Sequence, residues 1–430
     1  MKRKILDKLI EWHQASESRP ALLTGAKGVG KTYVAYDFAK SFFDQIFYIN
    51  LERQPATHAL FHSHSPKETT EKLLDHFHIS DQHEEVSSRL LILDELAFCP
   101  AAGEYLAALQ SSKKFPRIIA ISSRPLTEEL QAAFRVLPLA PLEFDEFLLA
   151  TANDWYIEAI ENHFEANKPL PEIVHKELLA LHELYLQIGG MPGTVNEYLH
   201  FHSLANIPEQ HSFLIGSYHD YIQRLFHDSE ALKMQQVFDS LTFQIIKPNK
   251  KFQYKLIRKG TTFGIYQEAI QKLKEGQYVL QCKKITSDQL SSCSYSDIKE
   301  ASEEEAGSNF KLYLPDIGLL YSSLTEERCL LSDPAVRKAL LENYVAQAFQ
   351  SKGYPLIFWE SDSMAKIEFI LPKKDHFLPV EIHTGENTRS KCISVLKQRL
   401  SFPYAVKISS RNFEYSNGVK YVPYYAVFCL

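Results

Sequence analysis

The run Gly25-Ala26-Lys27-Gly28-Val29-Gly30-Lys31-Thr32 has the residue types and the spacing that binding a nucleotide phosphate requires. It fits G-x-x-x-x-G-K-[ST], in which glycines let backbone N–H groups curl around phosphates. The glycines of the pattern are Gly25, Gly28 and Gly30. Lys31 would reach the β- and γ-phosphates, and the Thr32 hydroxyl would bind Mg²⁺. A strand-like run precedes the loop and a helix-compatible run follows it, so the pattern predicts a site for ATP and Mg²⁺ at a helix amino terminus.

An acidic pair ends another buried strand. Leu90-Leu91-Ile92-Leu93 is followed by Asp94 and Glu95, and a fully buried parallel strand reads as such a continuous apolar run. Open α/β sheets bind their ligands at the carboxyl ends of the strands. We therefore expect Asp94 to hold Mg²⁺ through water, and Glu95 to polarise the attacking water as the general base of ATP hydrolysis.

Two further residues are candidates for contact with the γ-phosphate. The apolar run 117–121 ends in Ser122-Ser123, where a polar residue, Ser122 in our assignment, would sense that phosphate; a simple serine turn after the strand is the alternative. Arg135 lies just before Val136-Leu137-Pro138-Leu139. It would contact the γ-phosphate in cis or toward a neighbouring subunit, and an ordinary surface arginine is the alternative.

Composition bounds the class of protein. The chain has 430 residues, of which 45% are hydrophobic and 23% charged, a globular composition with room for two to four cores. Asp7 and Glu11 interrupt the stretch where a signal peptide would be apolar, and no run of about 18 apolar residues occurs. The six cysteines show no C-x-x-C spacing, which argues against a disulfide framework or a zinc site. We expect a soluble, cytoplasmic protein with no membrane partner.

Six more motifs are spread along the chain: Cys99-Pro100, Pro141 to Leu148, Ile188 to Pro192, Asn249 to Tyr254, Phe310 to Leu320, and Leu341 to Val345. Together with the phosphate loop and the acidic pair, they resemble the bacterial and archaeal AAA-family (AAA+-like) P-loop ATPases. These carry a C-terminal domain of uncharacterised function related to the PD-(D/E)XK nuclease fold. The chain departs from the family at Lys27-Gly28, Ala97 and Phe134. Phosphate binding should survive these changes, whereas coupling of hydrolysis to movement is not implied.

The resemblance and the local patterns together imply an α/β protein in five segments. These are a P-loop ATPase core with a parallel sheet at 1–150, a helical lid at 151–210, a winged helix at 211–286, a mobile acidic and Ser-rich loop at 287–308, and a nuclease-like α/β domain at 309–430. In the lid, Gly189 to Pro192 resembles the G-x-P element of switch ATPases, whose proline lies close to the nucleotide. Pro192 is therefore an expected nucleotide contact. The alternative is a helix stop and restart, since glycine ends helices and proline begins them.

A basic segment interrupts a chain whose net charge is −6. Residues 241–290 hold ten Lys and Arg against three acids, a net charge of +7. Such a segment indicates an anion-binding face, with double-stranded DNA the leading candidate. In the winged-helix interpretation, the side chains expected to meet DNA are Lys250, Lys251, Lys272 and Lys274. The alternative is a module that only docks within the ATPase.

The resemblance to the nuclease fold implies a second site near the carboxyl terminus. In that fold a helix Glu, an acid on one strand and an acid-x-Lys on the next converge on one or two divalent metals. The matching positions are Glu342, Glu368 and Glu381, with His383 in place of the lysine. An imidazole is neutral near pH 7, unlike an ammonium. We therefore expect the three glutamates to bind a metal, with weak or no cleavage of DNA.

Three classes of function follow from these motifs. The first is an ATP-binding switch with slow hydrolysis that gates DNA binding. The second is an ATP-dependent nuclease. The third is a scaffold for an unknown protein partner, in which the nucleotide is structural.

Overall fold

The computed structural model describes residues 1–15, 19–62, 65–79, 88–111, 114–124, 126–292, 309–326, 332–361, 365–373 and 376–430. These form two compact units. The first is Met1–Ala140 with Glu275–Gln277, and the second is Pro141–Lys274 with Tyr278–Leu430. The first unit ends before the expected boundary at residue 150. The second takes in the segments expected as lid, winged helix and nuclease-like domain, and the boundaries among those segments stay predictions.

A five-stranded parallel sheet forms the centre of the first unit. Its strands are β1 (Ala21–Thr24), β2 (Gln45–Asn50), β3 (Arg89–Asp94), β4 (Arg117–Ser122) and β5 (Arg135–Pro138). They lie in the order β2-β3-β4-β1-β5, and every pair is parallel. Because the strands are parallel, all their carboxyl ends meet at one edge, where open α/β sheets place ligands. The predicted α/β fold with a P-loop-type parallel sheet is confirmed.

Helices cover this sheet on both faces. They are α1 (Ile5–Gln14), α2 (Lys31–Phe42), α3 (Pro66–His76), α4 (Pro100–Ser111) and α5 (Glu128–Ala132), with 3₁₀ turns at Pro55–Phe61 and Leu96–Phe98. Leu91 and Leu93 of β3 pack in one cluster with residues of α3 and α4. The alternate residues Leu90 and Ile92 are equally buried, and α2 packs on β3 and β4. Burial on both faces is why this strand is a continuous apolar run.

The second unit begins with helices and contains most of the helices of the described chain. They are α6 (Phe144–Ala150), α7 (Trp155–Ala166), α8 (Glu172–Ile188), α9 (Pro192–Phe201), α10 (Ile207–Leu225), α11 (Asp228–Ile245), α12 (Tyr254–Ile257), α13 (Phe263–Glu275), α14 (Ser287–Ser292), α15 (Ile317–Glu326), α16 (Pro334–Ser351) and α17 (Cys392–Lys397), followed by a 3₁₀ helix at Tyr424–Cys429. Gly189 ends α8 and Pro192 begins α9, which is the helix stop and restart. Within the described parts of the chain, no helix is long and apolar enough to cross a bilayer.

Two sheets complete the second unit. The first contains β6 (Leu280–Ile285), β7 (Phe310–Tyr313), β8 (Ile357–Glu360) and β9 (Lys366–Ile367), in the order β7-β6-β8-β9. The second contains β10 (Phe369–Pro372), β11 (Phe377–Ile382), β12 (Ala405–Ser409), β13 (Glu414–Ser416) and β14 (Val419–Pro423), in the order β10-β11-β12-β14-β13. Helix α16 is buried along most of its length and contacts both β6 and β11. It therefore joins the two sheets into one core.

In the segment expected to be a winged helix, helices α11, α12 and α13 are followed by β6. Strand β6 pairs with β8 as well as with β7, so it belongs to a sheet shared with the C-terminal segment. The winged helix stays a prediction. Of the expected mobile loop 287–308, residues Ser287–Ser292 form α14, and 293–308 lie outside the described residues.

Candidate functional site

The phosphate loop connects β1 to α2 and has the backbone that its glycines predict. Gly28 and Gly30 have φ angles of 89° and 92°, which favour glycine, and Gly25 has φ of 150°. A Cβ at Gly25 would lie 2.3 Å from the carbonyl oxygen of Leu139, so no larger residue fits there. Gly30 is the N-cap of α2. The first backbone N–H groups of this helix are therefore available to an anion.

Lys31 is buried at the base of the loop. Its Nζ donates to the carbonyl oxygens of Gly25 (2.8 Å) and Ala26 (3.0 Å) and to Ser123 Oγ (2.8 Å). Burial lowers the pKa of Lys31 to about 8, against the opposing effect of Glu95 and Asp94. These partners hold the ammonium within the loop, where a bound phosphate would replace the neutral carbonyl groups with negative charge.

One carboxylate oxygen of Asp94 accepts hydrogen bonds, and the other has no hydrogen-bond partner among the described residues. Its Oδ2 accepts hydrogen bonds from Thr32 Oγ1 (2.8 Å) and from the Tyr48 hydroxyl (2.7 Å). Its Oδ1 is buried, with no hydrogen-bond partner among the described residues. Burial raises the pKa of Asp94, so a cation beside it would relieve the cost of its charge. A hydroxyl and a spare carboxylate oxygen at one point fit Mg²⁺, which prefers oxygen ligands.

Glu95 is held by Ser123, the second serine of the pair Ser122-Ser123. Its Oε1 accepts from Ser123 Oγ at 2.5 Å, and its Oε2 accepts from the Ser123 backbone N–H at 3.4 Å. The backbone of Glu95 is left-handed, with φ of 55°. Such strain in a non-glycine residue is often found at functional sites. Ser123 thus bridges Lys31 and Glu95.

The structure gives Ser122 a different place from the predicted one. The Ser122 hydroxyl donates to the carbonyl oxygen of Arg124 and accepts from the Arg124 backbone N–H at 3.3 Å. It therefore closes a local turn, which is the alternative stated above. Neighbouring residues of an extended strand point to opposite sides, and it is Ser123 that faces the loop.

Arg135 lies at the wrong edge of the sheet for a contact in cis. It is the first residue of β5 and pairs with Ala21, whereas the phosphate loop follows Thr24, which pairs with Pro138. Three residues of strand place it roughly 10 Å from that edge. Its guanidinium lies 3.6 Å from the Glu11 carboxylate. The prediction that Arg135 contacts the γ-phosphate in cis is therefore wrong. The prediction that it contacts a nucleotide in a neighbouring subunit remains a prediction.

A cavity of about 340 Å³ joins the loop to the acidic pair. Lys31, Asp94 and Ser123 line it, together with Asn50 at the end of β2 and Arg53 in the turn that follows. Sequence reasoning missed these last two. The sequence does place Asn50 at the end of a strand-like run, which could have marked it as a candidate. In the structure Asn50 pairs in register with Asp94. Pro192 belongs to the second unit, and its contact with nucleotide stays a prediction.

Comparisons with known proteins agree with this geometry. A profile described as an AAA domain matches residues 17–148. Two domains of unknown function, DUF8612 and DUF4143, match residues 180–328 and 337–427. These matches support an ATP-binding P-loop ATPase of the AAA type. No curated protein matches the chain.

Solved structures similar to this chain include two archaeal ATPases. A Walker-type ATPase of Pyrococcus abyssi is 14% identical, with a TM-score of 0.41 over 75% of this chain and 95% of that one. A signal transduction ATPase with numerous domains and a tetratricopeptide repeat sensor, from Pyrococcus horikoshii, is 14% identical, with a TM-score of 0.28. That match covers 82% of this chain and 45% of the other, so this chain spans less than half of that protein.

The three glutamates of the second predicted site each face a lysine. Glu342 Oε1 lies 2.6 Å from Lys250 Nζ, Glu368 Oε1 lies 2.8 Å from Lys338 Nζ, and Glu381 Oε2 lies 3.3 Å from Lys407 Nζ. His383 Nε2 is also 3.3 Å from Glu381 Oε2. Within the described ranges, no group of three or more His, Cys, Asp or Glu side chains is placed to hold a metal. The structure does not assemble the predicted metal site.

The lysines expected to contact DNA include Lys250, Lys251 and Lys272, which form ion pairs within the chain. Besides the pair made by Lys250, Lys251 Nζ lies 2.5 Å from Glu360 Oε2. Lys272 pairs with Glu230 and, at 2.8 Å, with Glu268. Lys274 lies in the last turn of α13. Charge that is neutralised within the chain contributes little to attracting phosphates, so this geometry does not favour the predicted DNA face.

Proposed function

We propose that the first unit binds ATP with Mg²⁺ and hydrolyses it slowly, so that the bound nucleotide acts as a switch. The observation that carries this proposal is the pair of contacts in one cavity. Ser123 links Lys31 to Glu95, and Thr32 is bonded to Asp94. A loop that only turned the chain would need neither a buried ammonium nor an unpaired carboxylate oxygen beside it.

Each residue has a distinct task in this proposal. Backbone N–H groups of the loop and the ammonium of Lys31 bind the phosphates. Thr32 and Asp94 would hold Mg²⁺, which supplies charge neutralisation on the β- and γ-phosphates when bound. Glu95 accepts the proton of the attacking water, and Ser123 keeps its carboxylate pointed into the cavity. The left-handed backbone at Glu95 sets that direction.

Two substitutions test the assignment. Lys31→Ala should abolish tight ATP binding, because the phosphates lose their buried cation, whereas Glu95→Gln should keep binding and lose turnover. Calorimetry measures the first effect and phosphate release the second. Lys40→Ala, an exposed lysine on the same helix, is the matched control and should change neither. Equal ATP affinity in wild type and Lys31→Ala would refute the nucleotide site.

The same assays separate the wider functions predicted from the sequence. Turnover measured with and without double-stranded DNA tests a DNA-gated switch, with salt-dependent affinity as the signature of phosphate contacts. Binding of ATP with no turnover under either condition would support a scaffold for a protein partner. None of the contacts described above favours DNA cleavage.

A further inference from the structure

The second unit contains a buried network of opposite charges, which we call the carboxylate centre. Its acids are Glu342 on α16, Glu368 between β9 and β10, and Glu381 on β11. Its cations are Lys250, Lys311, Lys338 and Lys407. Four ammonium groups face three carboxylates, so the centre has no excess negative charge to offer a divalent ion.

Lys250 forms the shortest of the lysine–carboxylate pairs in this centre. Its side chain is 12% exposed and that of Glu342 is 3% exposed, and Nζ lies 2.6 Å from Oε1. The other oxygen of Glu342 accepts from the Tyr313 hydroxyl at 3.2 Å and lies 3.7 Å from Lys311 Nζ. Both oxygens of the helix glutamate are thus engaged by donors within the chain.

Glu368 and Glu381 are occupied in the same way. Glu368 Oε2 accepts from the backbone N–H of Ile382 at 3.2 Å while Oε1 faces Lys338. Glu381 Oε1 accepts from Ser390 Oγ at 2.8 Å while Oε2 faces Lys407 and His383. A metal entering this centre would have to displace a donor from every carboxylate.

The turn that carries Lys250 is anchored on both sides. Lys251 pairs with Glu360 at the end of β8. The backbone N–H of Phe252 donates to the carbonyl oxygen of Phe310 at 2.8 Å, and the two rings stack with centroids 5.6 Å apart. A turn fixed by two lysines, a backbone hydrogen bond and a ring stack is a docked part of this unit.

We propose that the Lys250 ammonium takes the place of the divalent metal in the carboxylate centre, so that the centre binds no metal and instead fastens the basic turn to the C-terminal core. Charge balance supports this. The ammonium groups of Lys250 and Lys311 lie 2.6 and 3.7 Å from the two carboxylate oxygens of Glu342, so this carboxylate has cations beside it without a metal. This inference is independent of the nucleotide site.

The test measures Mn²⁺ binding and thermal stability of the full, nucleotide-free chain. All variants carry Asp94→Asn, which removes the carboxylate proposed to bind a metal in the first unit. We expect no bound Mn²⁺ and no change in Tm with Mn²⁺ or EDTA. Lys250→Met, which keeps an unbranched side chain of nearly the same length but removes the charge, should lower Tm by about 5–10 °C, because breaking a buried pair strands a charge. Mn²⁺ should then recover part of that loss. Lys259→Ala, an exposed lysine in the same basic segment, is the control and should behave as the parent.

A double variant keeps the test decisive if Lys250→Met does not fold. Lys250→Met with Glu342→Gln removes both charges, and it should fold with a Tm near that of the parent, because a neutral pair needs no counter-ion. Stoichiometric Mn²⁺ binding by the parent would overturn the proposal. So would an unchanged Tm in Lys250→Met, or a loss of Tm in that variant that Mn²⁺ does not reduce.

Discussion

At the scale of single residues, the proposed nucleotide site contains a serine that connects two charges. Ser123 Oγ accepts from Lys31 and donates to Glu95, so the proposed phosphate-binding cation and the proposed base are positioned by the same hydroxyl. In this proposal, movement of Lys31 onto a phosphate releases one side of the bridge and leaves Ser123 bonded to Glu95 alone.

The first prediction at this scale separates two adjacent serines. Ser123→Ala should lower kcat by roughly 10–100-fold, since a hydrogen bond to a charged group contributes about 1.5–3 kcal/mol. Ser122→Ala is the matched control and should have a smaller effect, because its hydroxyl bonds only within the Arg124 turn among the described contacts. Steady-state ATPase measurements decide between them. A larger loss at Ser122 would restore the assignment made from the sequence.

A second prediction concerns pH. Because burial lowers the pKa of Lys31 to about 8, the free protein holds this lysine charged below that pH and loses the charge above it. Bound phosphate favours the ammonium, so binding above about pH 8 must take up a proton, and ATP affinity should fall there by up to roughly tenfold per pH unit.

Calorimetry in buffers of different ionisation enthalpy measures this uptake directly. We expect proton uptake near pH 9 and little uptake from Lys31 near pH 7. An ATP affinity that stays constant across this range would show that Lys31 does not titrate there.

At the scale of secondary-structure elements, one buried carboxylate joins two motifs that are distant in sequence. Asp316 Oδ1 accepts from the backbone N–H groups of Gly318 (3.0 Å) and Leu319 (3.2 Å) at the start of α15. Its Oδ2 accepts from the Gly190 N–H at 2.6 Å, between α8 and α9. Burial raises the pKa of Asp316 to about 6, and these three N–H groups oppose that rise. The pair Gly189-Gly190 is thus explained by close packing within the second unit, where a Cβ at either glycine would collide with its neighbours.

The prediction at this scale compares two glycines. A Cβ at Gly189 would lie 2.2 Å from Asp316 Oδ1, on a backbone with φ of 75°. Gly189→Ala should therefore destabilise the second unit by about 2–4 kcal/mol. Gly193→Ala, where a Cβ meets nothing within 4 Å, is the control and should be neutral or stabilising by up to about 1 kcal/mol. Denaturant unfolding gives both values, and equal effects would contradict the Asp316 contact.

At the scale of the whole molecule, the proposed nucleotide site and the carboxylate centre belong to different compact units. The residues predicted to bind ATP and Mg²⁺ lie in the first unit, except for Pro192. Lys250 and Glu342 lie in the second unit. A ligand that binds only the folded first unit stabilises that unit by mass action.

The prediction for the whole molecule is an asymmetric response to ATP. At about 100 times the dissociation constant, ATP with Mg²⁺ should raise the Tm of the first unit by roughly 5–10 °C. Scanning calorimetry should show one transition that moves with ATP and another that moves with Lys250→Met. Lys31→Ala is the control, in which ATP should move neither. A single transition that both changes shift would show that the two units unfold together.

The main parts of the proposed nucleotide site can be recognised in the sequence because they are local. The phosphate loop needs only a strand, a run of glycines and a helix start, all contiguous between Ala21 and Phe43. The acidic pair needs only the end of one buried strand. Local sequence patterns were therefore enough to select Gly25, Lys31, Thr32 and Asp94 as candidates. The structure places Thr32 and Asp94 in contact.

Only the tertiary structure decided what these residues meet. Strand register put Arg135 at the amino-terminal edge, and the direction of one side chain at a strand end selected Ser123 over Ser122. The same holds for the basic segment 241–290. Its net charge of +7 does not reveal that Lys250 is paired with Glu342, 92 residues away in sequence. Such pairs depend on packing between distant elements, which no local pattern encodes.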